Sequence, residues 1–171
     1  HHRRCQSLLE DFDERSSFRR VICDGDAGDQ IFNDGDNTSI AQKQGDEIRK
    51  VLLCSGKIWY DLSRHRTANK IDDVILVRLE QIFPFPYDAL ARRLTRFPNA
   101  KLCWVQEEPK NMGAWSYIKD RVKTTERASS SGAEWMRDIS YVGRSPAASP
   151  ATGSQSVHLK EAEEIVREAF K

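Results

Sequence analysis

No run of apolar residues in this 171-residue chain comes near the ~20 that a membrane-spanning helix needs. Cysteine is scarce as well. Cys5, Cys23, Cys54 and Cys103 are widely spaced and form no CxxC, which argues against a disulfide framework and for a reducing compartment. Cys54 and Cys103 sit inside apolar runs and read as small buried hydrophobes. Neither sign of charge dominates: 27 basic residues face 26 acidic ones, a net charge of +1. No global field therefore draws the chain to nucleic acid or to an anionic membrane, and neither is expected as a partner. A GxxxxGK phosphate loop is missing. The chain opens on His1-His2 rather than Met, with no targeting segment behind it, so it is expected to be processed, tagged or cut from something longer.

What is present is enough for a core. Apolar residues make up 39% of the chain, which suits one domain of ordinary size. Residues 1–22 are mixed, with Leu8, Leu9, Phe12, Phe18, Val21 and Ile22 able to pack onto a larger body. Residues 23–47 are rich in Gly and Asp and read as a solvated loop or linker. Counted from Asp24 or from Asp34, this stretch lacks the sixth-position Gly and twelfth-position Glu of a calcium loop.

The pattern sharpens after residue 48. VLLCSG (51–56), VILVRLEQIF (74–83), KLCWV (101–105) and ISYVG (139–143) are apolar runs. Between and after them lie stretches with helical spacing: KIWYDLSRHR, YDALARRLTRF (87–97), GAWSYIKDRV (113–122) and VHLKEAEEIVREAF. TTERASSSGAE (124–134) reads as a polar insertion and RSPAASPATGSQ as a loop. Strands written as unbroken apolar runs are buried on both faces. Their alternation with helices predicts an α/β fold of three layers, a mostly parallel sheet with helices on both faces. The expected organisation is a leading segment with a Gly/Asp-rich loop over 1–48 and the α/β body over 49–171.

Open parallel sheets gather their sites outside the carboxyl ends of the strands. Here those ends carry Ser55-Gly56-Lys57; Arg78, Glu80 and Gln81; Gln106-Glu107-Glu108; and Gly143-Arg144-Ser145. Ser55 and Lys57 open a helix, either as a simple cap with a solvent-facing lysine or as an anion site at the helix N-terminus. Arg78 and Glu80 share a strand face and read first as a structural ion pair, to each other or to a neighbouring subunit. Glu107 and Glu108 are an acid–base candidate by type, but adjacent strand residues point to opposite sides and make no facing dyad. His65 reads as a solvated helix face and His158 as a structural histidine; neither has a Cys or Asp at triad or metal spacing. Trp104 and Trp115 read as core or interface anchors.

Four longer stretches, "LLCSGKIWYDL", "ILVRLEQIFPFP", "WVQEEPKNMGAWSYI" and "YVGRSPAASPATGSQSVHLKEAEEIV", follow one another in order. Together they resemble the C-terminal domain of the 2-oxoglutarate dehydrogenase E1 component, over nearly all of 49–171. "RRCQSLLEDF" and "SSFRRVI" extend the likeness more weakly to the start. A sister enzyme acting on 2-oxoadipate is similar, but "EEPKNMGAW" and "GRSPAASPATGS" fit the 2-oxoglutarate enzyme better.

The resemblance implies a domain of the transketolase C-terminal fold that serves dimer contact and scaffolding. The full enzyme it implies is a homodimer that decarboxylates 2-oxoglutarate on thiamine diphosphate with magnesium. It succinylates the lipoyl group of E2, the dihydrolipoyl succinyltransferase, in a complex that also contains E3. Cofactor, metal and catalytic residues lie in preceding domains, so none is expected on this chain. The polar strand ends at Arg78, Glu80, Glu107, Glu108, Trp115 and Arg144 would then be a contact surface. The location implied is the mitochondrial matrix for a eukaryotic source and the cytoplasm for a bacterial one.

Actinobacterial relatives hold acetyl-CoA on this domain as an activator. Arg3, Ser7 and Gln81 match positions of that site, while Tyr87 and Asp88 stand where a basic pair is needed, and a carboxylate there repels phosphate. An acyl-CoA or nucleotide module using Arg3, Ser7, Ser55, Lys57 and Gln81 is the second reading. A hydrolase on Ser55, His158 or Cys54 is the third, and lacks an assembled triad.

Overall fold

The computed structural model describes residues 9–24, 43, 45–129 and 138–171. Its centre is a five-stranded sheet in the order β1-β3-β2-β4-β5. Strands β2 (Lys50–Cys54), β3 (Val74–Leu79), β4 (Lys101–Pro109) and β5 (Ile139–Arg144) run parallel, as expected of unbroken apolar runs. Four helices connect or follow them: α1 (Ile58–Ala68), α2 (Tyr87–Leu94), α3 (Trp115–Ser129) and α4 (Gln155–Ala169). The predicted three-layer α/β architecture is therefore the one observed.

Each strand divides its side chains between two cores because successive residues point to opposite faces. Val51 and Leu53, Ile75 and Val77, Leu102 and Trp104 pack on one side with Leu90 and Leu94 of α2 and Ile118 and Val122 of α3. Leu52 and Cys54, Val74 and Leu76, Cys103 and Val105 pack on the other with Trp59 and Leu62 of α1 and Ile165 and Ala169 of α4. Every one of these side chains is buried. Fully burying one of the larger aliphatics stabilises by about 1.5–3 kcal/mol, so both helical layers are anchored independently.

Several parts of the structure depart from the sequence reading. A fifth strand, β1 (Val21–Cys23), lies antiparallel to β3, pairing Val21 with Leu79 and Cys23 with Val77. The expected solvated loop does not begin at residue 23: Cys23 is in the core, and the buried Asp24 carboxylate accepts from the Leu76 amide at 2.6 Å and from the Arg66 guanidinium. Asp24 thereby ties β1, β3 and α1 together. At the far end of the Gly/Asp-rich stretch Gly45–Glu47 forms a 3-10 turn, and the remainder of that stretch lies outside the described residues except Lys43.

Helix α3 also runs on to Ser129, through residues expected to be an insertion. Thr125 and Glu126 are polar but buried, so polarity there does not mean solvent. The rest of that expected insertion, 130–137, lies outside the described residues. Finally, β4 extends through Gln106, Glu107 and Glu108 to Pro109, with an irregularity in its pairing to β5 between Val105 and Pro109.

Candidate functional site

The helices that follow neighbouring strands alternate between faces. Those after β2 and β5 (α1, α4) join one core and those after β3 and β4 (α2, α3) the other. At the carboxyl ends this opens crevices between β3 and β2, between β2 and β4 and between β4 and β5, where an open α/β sheet takes its ligand. The two beside β4 are crossed by protein groups.

Lys57, just after β2, reaches Glu107 of β4 at 3.0 Å and Asp61 of α1 at 3.1 Å. Arg64 adds a second cation to Asp61 at 3.1 Å. Partial burial pulls the Lys57 ammonium down, but hydrogen bonds to Glu107 and Asp61 and their charges more than offset it, and its pKa is raised. Lys57 is thus spent on two carboxylates at the crevice where a ligand anion would need it. Nor does the helix start carry a Ser55 cap: the position before α1 is Lys57, with no side-chain capping bond, and Gly56 supplies the turn with φ +72°.

The β4–β5 crevice is crossed by Arg144. Its Nη1 donates to the Glu107 carbonyl at 2.8 Å and its Nε to Glu161 of α4 at 2.8 Å. Its Nη2 lies 2.9 Å from His158 Nδ1, which must accept, since a guanidinium only donates. Thr152 donates to the same Glu161 oxygen at 2.5 Å. That bond first, and then Arg144, holds the Glu161 carboxyl below its usual range. A groove of about 840 Å³ opens at this cluster, between β5, α4 and the 145–153 loop, lined by Arg144, Thr152 and Glu161 together with Pro109, Val142 and Ile165.

Gln106 organises the turn after β4, although sequence reasoning did not single it out. It is 3% exposed. Its Oε1 accepts from the Trp104 indole at 2.8 Å and from the Trp115 amide at 3.1 Å. Its Nε2 faces the carbonyls of Met112 at 2.8 Å, Pro109 at 3.1 Å and Glu108 at 3.3 Å. Gly113 has φ +64°, and a Cβ there would sit 2.9 Å from Gln106 Nε2, so glycine is required twice over. Asn111 then exchanges two bonds with the Ala147 backbone, at 2.9 and 3.0 Å, and joins this turn to the 145–153 loop.

The remaining sequence candidates fall as follows. Arg78 Nε lies 2.6 Å from Glu80 Oε1, and the guanidinium stands 4.9 Å from the Trp59 ring centroid. The Gln81 side chain donates to the Pro84 carbonyl at 2.6 Å. The Glu108 side chain is exposed, and its carbonyl lies 3.1 Å from the Tyr141 hydroxyl. Trp115 packs on Tyr141 at 5.2 Å between centroids. Trp104 is a core residue, while Arg3 and Ser7 lie outside the described residues.

Among the described residues no sequence candidate is assembled into a nucleophile. Cys54 is fully buried, and burial above all pushes its thiol up, against the pull of Arg78. His158 faces Arg144 rather than a hydroxyl or thiol. Among the described residues no three His, Cys, Asp or Glu gather in a way that could hold a metal ion. The residues at the crevices do not fit a diphosphate with its magnesium: the nearest cation is already neutralised, and no group of carboxylates is free to bind the metal. No helix among the described residues is long and apolar enough to cross a membrane.

Comparison with known proteins gives a consistent result. Residues 6–170 match the family described as 2-oxoglutarate dehydrogenase C-terminal. The chain is 42% identical to the 2-oxoglutarate dehydrogenase E1 component of Brucella anthropi, over 99% of its own length and 16% of that protein. The E1 components of Brucella ovis and Brucella suis biovar 1 are similar to the same extent. The chain therefore spans about a sixth of the length of the curated relatives it matches.

Proposed function

The chain belongs to the 2-oxoglutarate dehydrogenase C-terminal family, and from this premise we propose that it is the non-catalytic C-terminal domain of a 2-oxoglutarate dehydrogenase E1 subunit. Its role is to scaffold the subunit and to contribute to the E1 dimer. One observation supports the non-catalytic part: at the crevices beside β4, an ordinary ligand position of this architecture, the charged side chains Lys57 and Glu107, and Arg144 and Glu161, are paired with one another. The body proposed for this role is 49–171, with 1–48 as a leading segment that lends β1 to the sheet edge.

The complete subunit would decarboxylate 2-oxoglutarate and succinylate the lipoyl group of E2, in a complex with E3. Thiamine diphosphate and magnesium would supply the decarboxylation chemistry on the rest of the polypeptide. The named relatives being bacterial supports the cytoplasm as the place of action.

The test has two arms. The isolated chain, given thiamine diphosphate, magnesium, 2-oxoglutarate and an artificial electron acceptor, is expected to show no turnover. The full-length E1 subunit lacking residues 49–171 is expected to lose its dimer in sedimentation, and its activity with it. Turnover by the isolated chain, or a fully active dimer without the domain, would overturn the proposal.

A further inference from the structure

We propose that the corner of the sheet built from the segment before β1 and the β3–α2 connection is the surface on which the remainder of the E1 polypeptide seats. Its contact residues are Phe18, Phe83 and Tyr87. The inference rests on the reading above and places its contact surface at the β1–β3 corner of the carboxyl edge, apart from the crevices beside β4.

Three large side chains stand in water here: Phe83 is 80% exposed, Phe18 69% and Tyr87 41%. They are not on a slack segment. The Arg20 carbonyl accepts from the Glu80 and Gln81 amides at 3.0 and 3.1 Å, which fixes the end of the Phe18 segment against the end of β3. The Arg20 guanidinium makes a two-pronged pair with Asp88 of α2, at 3.0 and 2.8 Å. Gln81 holds the Pro84 carbonyl, and the buried Phe85 ring meets Tyr87 at 4.8 Å between centroids. Apolar side chains held out by a rigid scaffold are pre-positioned for a contact, with little ordering left to do on docking. Exposed Arg92, paired with Asp88 at 3.4 Å, adds a charged rim. The carboxyl ends of β2, β4 and β5 are the opposite case, since Lys57, Glu107, Arg144 and Glu161 already satisfy one another within the chain.

Size and tethering select the occupant. At these exposures the three rings offer on the order of 400 Å², against about 800 Å² per partner in a free-standing stable complex. Such a patch is too small to hold a free protein. It suffices for a segment on the same polypeptide, where effective concentrations reach about the millimolar range. The relatives supply that polypeptide, because the matched region is only 16% of their length.

The measurement is hydroxyl-radical footprinting of the full-length E1 protein, comparing Phe18, Phe83 and Tyr87 with the same residues after unfolding. Oxidation at least fivefold slower in the native enzyme is expected at Phe83 and Phe18. Native rates equal to unfolded ones would overturn the placement. If those rings oxidise freely while Glu108 and Val157, exposed in this structure, become protected, the scaffold reading stands and this corner is wrong. If no exposed residue of the domain is protected, both fail. Protection that also arises in the isolated chain, rising with its concentration, would mean a second copy is the occupant and would overturn the proposal. Phe18→Ser with Phe83→Ser in the full-length protein is expected to loosen the domain, seen as faster proteolysis at its boundary. Unchanged proteolysis would count against the proposal.

Discussion

Replacing Gln106 with leucine should be among the most damaging isosteric changes in this domain. The side chain keeps about the same volume, so cavity formation contributes little. What is lost is an acceptor shared by two donors and a donor facing three carbonyls. The Trp104 indole N–H is the worst placed, because Trp104 is 1% exposed and no water reaches it. The Trp115 amide, at the first turn of α3, loses its partner as well. A buried donor left without a partner costs about 1–3 kcal/mol. Two of them, with partial loss at Met112 and Pro109, give roughly 3–5 kcal/mol. In a protein of this size that is about 6–20 °C in Tm. Equilibrium unfolding in urea reads it as a fall in the midpoint at unchanged m-value.

Gln106→Glu sharpens the test. A carboxylate there would turn an oxygen onto the three carbonyls, whereas the protonated acid can donate to one of them. The folded-state pKa of the introduced group would then lie above its unfolded value of about 4.3. Stability relative to the wild type would be best below that value and would be lost as pH rises through the folded pKa. A Gln106→Leu penalty under about 1 kcal/mol, or a glutamate variant indifferent to pH, would refute the role given to this amide.

Two further expectations follow from charges and thiols. The Asp88 carboxyl is held down to about 2, first by its hydrogen bond to Arg20, against an ordinary 3.8. Its contribution is therefore complete above pH 3.8 and lost as pH falls toward 2; carboxyl NMR of Arg20→Met should show Asp88 returning toward its ordinary value, and an unmoved titration would contradict the pairing. Cys23, Cys54 and Cys103 are all buried, and burial raises the thiols of Cys54 and Cys103, so native alkylation should spare all three and unfolding should expose them. Rapid native labelling of Cys54 would undo the inert reading and revive a nucleophilic one.

The parts of this fold that were legible were those written in a local period. VLLC, VILV and LCWV serve two cores, so they contain no polar interruption, and that is what a strand buried on both faces looks like. Tyr87, Leu90 and Leu94 carry the helical spacing of α2 in the same way. β1 was illegible because three residues carry no period, and its existence depends on Leu79 and Val77 of a strand more than fifty residues away. The extension of α3 was hidden by Thr125 and Glu126, whose burial contradicts their polarity. The position of the polar edge followed from the strand ends, but its wiring did not. Lys57 meets Glu107 only because β2 and β4 lie side by side in register, Leu53 against Trp104.

That wiring explains why two adjacent carboxylates stand at the end of a core strand. Alternation along β4 sends the two glutamates different ways. Glu107 turns to Lys57 and lends its carbonyl to Arg144, so a single residue holds its side of both crevices. Glu108 turns to solvent, and its backbone carbonyl rather than its carboxylate does the joining, to Gln106 and Tyr141. An acid–base pair needs two carboxyls facing one substrate atom. These two diverge, and the nearer one is neutralised by a cation at 3.0 Å. Substituting Glu107 by Gln together with Asp61 by Asn should therefore free the Lys57 ammonium and open the β2–β4 crevice to anions, read as phosphate binding in calorimetry, while Glu108→Gln should change neither stability nor ligand binding. The charges of this edge pair within the chain, Lys57 with Glu107 and Arg144 with Glu161, and leave only Glu108 of the two adjacent glutamates to solvent.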